Sequence, residues 1–430
     1  MPPIEDHPLR YELANELHAR PFPSLQAPAR AVFLAVKRAQ DAASRDRGAD
    51  LAHLVDLLDR HGAQHPQPGA THFSGRIGQH ELKWESHTEF VTYTVFLRGL
   101  GERPFDPADF EVFPEDWLAR APGVRVTSAM IRICERPEDD ETINPMLDDW
   151  LVPDSIAVSR MLDDALIVAG DFRIDPAGHQ RFAVFPRADV GERRVGRVVQ
   201  RICEIETYKT MSMLGFTRVR GIGPRMTEID EELTRLMTVM THGDAPEEET
   251  LQALLRVSSE LETLSAQVAF RLGATGAYEA LVAQRVAVMR EERFQGRQTF
   301  REFMTRRFDP AMRTVKSVER RLEAMSQRAM RAGDLLRTRV EVKRSAQNQD
   351  LLESMDRRAD MQLRLQKTVE GLSVVAISYY AVSLAGYLLY PLAGMLGISK
   401  GMMTALVTLP VVALVWLVIH RIRHAVENGK

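Results

Sequence analysis

The chain has 430 residues, of which 45% are hydrophobic and 27% charged, and its 56 Lys and Arg against 59 Asp and Glu leave a net charge of -3. That balance describes a folded protein with room for one or two cores, and it offers no basic surplus for holding nucleic acid. Two cysteines, Cys134 and Cys203, without CxxC spacing supply neither a disulfide framework nor a zinc site and fit a reducing compartment.

The N-terminus lacks an apolar segment after a basic start, so the body is expected in the cytosol. HPLRYELANELHA and ADLAHLVDLLDRHG carry helical periodicity. Asn15, His18 and Arg20 stand before Pro21, where they either hold an anion or anchor the loop. ARAVFLAV (29 to 36), THFSGRI, HELKWES and EFVTYTVFLRG alternate apolar and polar residues between Gly and Pro breaks. GVRVTSAMIRI, SIAVSRML, ALIVAGDFRI and HQRFAVFP repeat the pattern, with DPAG (175 to 178) as a turn. Such alternation predicts antiparallel strands, and residues 1 to 188 read as an α+β domain.

Within it, HELKWESHTEF has metal or acid-base potential. As one extended strand it projects Glu81, Glu85, His87 and Glu89 to one side and Leu82, Trp84 and Phe90 to the other. The spacing permits a cation site; the polar face of an amphipathic strand has the same look. The segment is not HExxH, because Trp84 stands where the second His is needed. PEDDETINPMLDD (137 to 149) reads as a solvated acidic loop. With no GxxxxGK, GxGxxG or GxSxG in the chain, an enzyme is not expected.

From Asp189 the strand signal fades and long helices are predicted, first as a helical domain to residue 310. Breaks are expected at GIGPR (221 to 225), HGDAP (242 to 246), GATGA (273 to 277) and FDP (308 to 310). Residues 311 to 370 read as a long stalk helix. Val315, Val318, Leu322, Met325, Ala329, Ala332 and Leu336 step by three and four, an a/d seam that suits either a coiled coil between chains or an antiparallel bundle within one. Leu352, Met355, Ala359 and Leu363 continue an apolar stripe.

No Asp, Glu, Lys or Arg occurs between Glu370 and Lys400, or from Gly401 to His420. Twenty helical residues rise about 30 Å, the thickness of a bilayer's hydrocarbon core, so residues 371 to 396 and 402 to 420 are predicted to form a transmembrane hairpin. Arg357, Arg358, Arg364 and Lys367 precede it, and the basic tail 421 to 430 follows, which places both chain ends in the cytoplasm. On the first span Ala376, Tyr379, Ser383, Gly386 and Tyr390 share a face, either to pack another helix closely or to line a water-filled path. Lys367 and Glu370 are the charged groups at the end of such a path. Tyr379 and Tyr380 lie near mid-span, where a phenol needs a partner, and Pro410 is placed to kink the second span.

HPLRYELANELHARPFP, HELKWESHTEFVTYTVF and the terminal hairpin resemble, over nearly the whole chain, a bacterial family of uncharacterised membrane-anchored proteins known only as a domain of unknown function. The order of α/β domain, long helices, two spans and basic tail also resembles CorA-type divalent-cation channels. That likeness implies a homopentamer in the bacterial inner membrane, with a cytosolic domain gating a pore for a divalent cation. The sequence departs from the group's Gly-Met-Asn signature, having Gly394-Met395-Leu396 near that place. Two functions are therefore expected as alternatives: a homo-oligomeric, CorA-like ion channel or transporter, or a membrane-tethered scaffold that binds a partner and moves no ion.

Overall fold

The computed structural model describes residues 4–16, 22–40, 45–243, 245–395 and 397–427. The chain divides into two compact units, residues 1–245 with 252–333, and 246–251 with 334–430.

The first unit opens with the short helix α1 (Arg10–Glu16) and is built on one sheet of, among the described residues, nine strands. They are β1 (Ala29–Lys37), β2 (His72–Ile77), β3 (His80–Ser86), β4 (Phe90–Arg98), β5 (Val124–Ile133), β6 (Ala157–Met161), β7 (Leu166–Gly170), β8 (Gln180–Pro186) and β9 (Glu292–Arg293), in the order β2-β3-β4-β1-β5-β8-β7-β6-β9. β1 shows why the sheet is central. Val32, Leu34 and Val36 enter one core and Ala31, Phe33 and Ala35 enter another, so both faces are covered and the strand is apolar from Ala31 to Val36.

The first core is closed by α2 (Arg47–Arg60), α3 (Glu115–Ala119) and α4 (Ile143–Trp150), which contribute Leu54, Trp117 and Ile143 to it. The second receives Val198 and Ile202 of α5 (Glu192–His242) and Phe300 of α7 (Phe300–Arg307). Burying a large apolar side chain of this kind contributes about 1.5–3 kcal/mol.

Several expectations need correction. The sheet is mixed, because β5 and β8 pair in parallel from Ala129↔Gln180 to Ile133↔Val184. The chain between them contains α4 and the β6–β7 hairpin, long enough for the crossover that a parallel pair requires. β9 joins the sheet from far beyond residue 188, and its two residues are too few to carry periodicity. The acidic stretch 137–149 is largely ordered: it forms a 3-10 turn at Asp140–Thr142 and most of α4, and Asp140 is bound by Arg136 (2.6 Å) and Arg160 (2.9 Å).

GIGPR does not break α5, which continues through Pro224, since Ile222, Met226, Ile229, Leu233 and Leu236 keep one buried stripe on both sides of it. Packing of that stripe overrides the local cost of Pro. The break at HGDAP is present, with Gly243 closing the helix at φ 74°. GATGA is passed without interruption by α6 (Glu247–Ala287), whereas the FDP boundary divides α7 from α8 (Asp309–Met395).

The seam is satisfied within the chain. Val315, Leu322, Met325, Ala329 and Ala332 are buried in the first unit, while Arg321 and Arg328 bind Asp230 of α5 at 2.9 and 3.0 Å and Lys316 binds Glu279 of α6 at 2.7 Å. In the second unit Leu336 and Val340 are buried and Lys343 pairs with Glu247. From residue 341 to 373 the described side chains of α8 are then exposed on every side, apart from a half-buried Ser354. α9 (Lys400–Glu427) completes this unit.

Candidate functional site

β3 ends at Ser86, so the four acid and imidazole groups of HELKWESHTEF do not share a strand face. Leu82 and Trp84 enter the first core, as expected, but the chain turns at His87 and its N–H bonds the Phe90 carbonyl at 2.8 Å. Glu81 is exposed on the outer part of the strand. Glu85 lies 3.2 Å from the Lys83 ammonium on the side facing α5. The His87 ring stacks on Phe90 with centroids 4.4 Å apart.

Glu89 is buried and forms an ion pair with Arg271 of α6, while the Tyr278 hydroxyl donates to it at 3.1 Å. The cation cluster expected from spacing is therefore dispersed. Among the described residues no group of three or more His, Cys, Asp or Glu could hold a metal ion. What Glu89 does instead is clamp the sheet to α6. Burial, then the adjacent Glu89 charge, pushes the Tyr278 phenol up. Lys37, at the end of β1, is held below the usual lysine range by burial and next by Arg271, with Glu89 acting in the opposite sense. Arg271 and Tyr278 lie more than 180 residues from Glu89 in sequence, so no local pattern announces them.

In the second unit both terminal helices are long and apolar enough to cross a membrane, and only 6% and 11% of their most apolar stretches are buried. The turn between them is short, and α9 contains Pro410. Their less exposed positions fall on one side. On α8 these include Val374, Ser378, Ala381, Val382, Ala385 and Leu389; on α9 Met403, Val407, Val411, Val415 and Ile419 recur every four residues. Such i, i+4 rows are the ridges by which helices interlock.

The stripe read from the sequence is divided by this packing. Ser383, Gly386 and Tyr390 line a crevice shared with Lys400 and Thr404 of α9, and the Lys400 ammonium sits 4.3 Å from the centre of the Tyr390 ring. Ala376 and Tyr379 are exposed outside it, Tyr379 to 69%. The Ser383 hydroxyl donates to the Tyr379 carbonyl at 2.9 Å, satisfying itself on its own helix. Lys367 and Glu370 border a second crevice with Trp416 and His420, whose rings stack at 5.0 Å. Leu396, the last residue of Gly394-Met395-Leu396, lies outside the described residues, as do His18, Arg20 and the Asn15 side chain of the anion reading.

Residues 5–426 match the family described as protein of unknown function (DUF3422). The chain belongs to that family. No curated protein and no solved structure matches it. The family description assigns no activity, and no comparison supports the likeness to CorA-type channels.

Proposed function

We propose that this protein is a membrane-anchored homo-oligomer, its two C-terminal helices crossing the bacterial cytoplasmic membrane and both chain ends lying in the cytosol. The observation that carries the reading is the near-complete exposure of the most apolar stretch of each terminal helix, of which only 6% and 11% is buried, in a chain whose sheet cores are closed. Apolar surface on that scale needs lipid or protein around it. Self-association is supported by α8 before residue 363, where Leu352 and Met355 are 65% and 59% exposed on a stretch whose large apolar side chains point to solvent. A lone helix of that kind gains its stability from packing rather than from propensity.

Exposure of the Tyr379 phenol, near the middle of the first span, favours the transport form of this reading, a CorA-like assembly moving a divalent cation along the small and hydroxyl-bearing face. The hydrogen bond of Ser383 to its own helix favours the other form, a tether for a partner-binding body. The two separate in one experiment on the purified full chain in proteoliposomes, with Ser383→Leu beside the parent. Transport predicts divalent-cation flux that falls in the variant while the assembly keeps its size. A well-assembled parent without flux for any divalent cation leaves the tether, and a monomeric parent in detergent overturns the homo-oligomer.

A further inference from the structure

Three neighbouring strands each bring an arginine to the sheet face that carries Trp84 and Trp117: Arg30 on β1, Arg132 on β5 and Arg181 on β8. Arg30 and Arg132 are directly opposite in the antiparallel ladder and so share a face. Arg181 alternates with Ala183 and Phe185, which belong to that same core.

The outer two arginines have carboxylates. Arg30 binds Asp109 and donates to the Gly99 carbonyl at 3.0 Å. Arg181 binds Asp171 at 2.8 Å, a carboxylate that also accepts the backbone N–H groups of Val152 and Arg173 at 3.1 Å each. Arg132, between them, has no carboxylate. Its Nε and Nη1 are sealed from solvent and meet no acceptor among the described residues, while its guanidinium lies 5.3 Å from the centre of the Trp150 ring. Asp109 is near enough to feel its charge but is engaged by Arg30.

Arg30 and Arg181 are thus each ion-paired, and Arg132 is not. Guanidinium N–H groups sealed from water without an acceptor are unfavourable, so the Nε and Nη1 of Arg132 need a partner. An aliphatic side chain would satisfy the same place among Met130, Ala183 and Trp150 without that cost. Arg132 is only half-buried as a whole, so the site is reachable from outside.

We infer that Arg132, with Arg30 beside it, holds an oxyanion, the phosphate or carboxylate group of a small molecule, on the sheet face of the first unit. The planar guanidinium donates to the oxyanion in its own plane, and Trp150 covers one face of it and excludes water there. Binding supplies the missing negative charge.

The test is thermal melting of the full chain in detergent at constant ionic strength, titrating sodium phosphate, or sodium acetate, against chloride. Phosphate also stabilises proteins non-specifically by exclusion from their surface, but that effect rises without saturating and is the same in any variant. A specific site adds a saturating rise of about 3–5 °C at about 100-fold over the half-saturating concentration. The anion that saturates lower identifies the group. Arg132→Met should lose the saturating part and should melt in chloride no lower than the parent, because it removes an unpaired charge. Release of bound phosphate or an organic acid from denatured parent would equally support the site. It is overturned if Arg132→Met keeps the saturating rise, or if the variant is unfolded or melts lower in chloride, since Arg132 would then be satisfied by the protein or by a buried water. A parent that neither responds to phosphate or acetate nor releases an anion overturns it as well.

Discussion

His179, which directly precedes β8, predicts a specific loss of stability in mild acid. Its ring is buried, stacks on Phe110 with centroids 3.8 Å apart, and shares a hydrogen bond of 2.9 Å between Nδ1 and the Ser128 hydroxyl. Burial, and next the Arg125 charge, pushes its pKa down to about 4, with Asp175 opposing. The folded imidazole therefore refuses a proton that the unfolded chain accepts below its ordinary value of about 6.5. A depressed histidine contributes stability that is fully present above that value and is lost as the pH falls towards 4. With one pKa unit equivalent to about 1.4 kcal/mol, the loss attributable to this ring is about 2 kcal/mol at pH 5. His53 and His80 are depressed in the same direction by burial, so their loss adds to it. The assay is urea unfolding of the full chain in detergent, followed by tryptophan fluorescence, since Trp84 and Trp117 lie in the core on the same side of the sheet. His179→Gln should lower stability at pH 7 but lose about 2 kcal/mol less than the parent between pH 7 and 5. Equal losses in the two proteins, or a parent that gains stability in acid, would refute the reasoning.

Three further outcomes are expected. Leu322→Asp places an unpaired carboxylate at a position only 4% exposed, so the first unit should lose about 3–5 kcal/mol, and an unchanged melting temperature would mean that the seam is not packed. Arg271→Met strands the buried Glu89 charge and should cost about 3–5 kcal/mol at neutral pH, whereas Arg271→Met with Glu89→Met should recover most of it in the same urea titration; failure to recover would show that the clamp matters through packing rather than charge. Both native cysteines are buried, so a cysteine placed beside Lys400 gives a clean label: an impermeant thiol reagent should modify it from outside whole cells, and modification only in inverted vesicles would reverse the proposed orientation.

Much of the sheet was legible because a half-covered or fully covered strand states itself locally. ARAVFLAV, EFVTYTVFLRG and ALIVAGDFRI each carry their own pattern, and each lies on a strand. What alternation cannot state is the neighbour. β5 pairs with β8 in parallel, although nothing in GVRVTSAMIRI distinguishes that from an antiparallel pair. GIGPR failed as a break for a related reason: local propensity favoured a stop, while Ile222 and Met226 are buried on a long stripe that needs the helix to continue. In HELKWESHTEF, spacing alone leaves open whether the strand runs straight through. A turn after Ser86 takes His87 and Glu89 away from Glu81, and Glu89 finds Arg271 on a helix far along the chain.

Periodicity, too, reports that a helix face will be covered without reporting by what. Val315 to Ala332 and Leu352 to Leu363 carry apolar residues at the same spacing, yet the first set is buried apart from a half-buried Val318, and the second is more than half exposed wherever a large side chain occurs. The flanking charges differ as well. Arg321, Arg328 and Lys316 have Asp230 and Glu279 opposite them on α5 and α6, while Arg357 and Arg364 pair only with acids one turn earlier on α8, Glu353 and Asp360. Cross-helix ion pairs accompany the face that is matched within the chain. The stripe from Leu352 to Leu363 has only same-helix pairs of Arg357 and Arg364 beside it, and it lies immediately before the long apolar stretch of α8, where the proposed second copy would have to cover it.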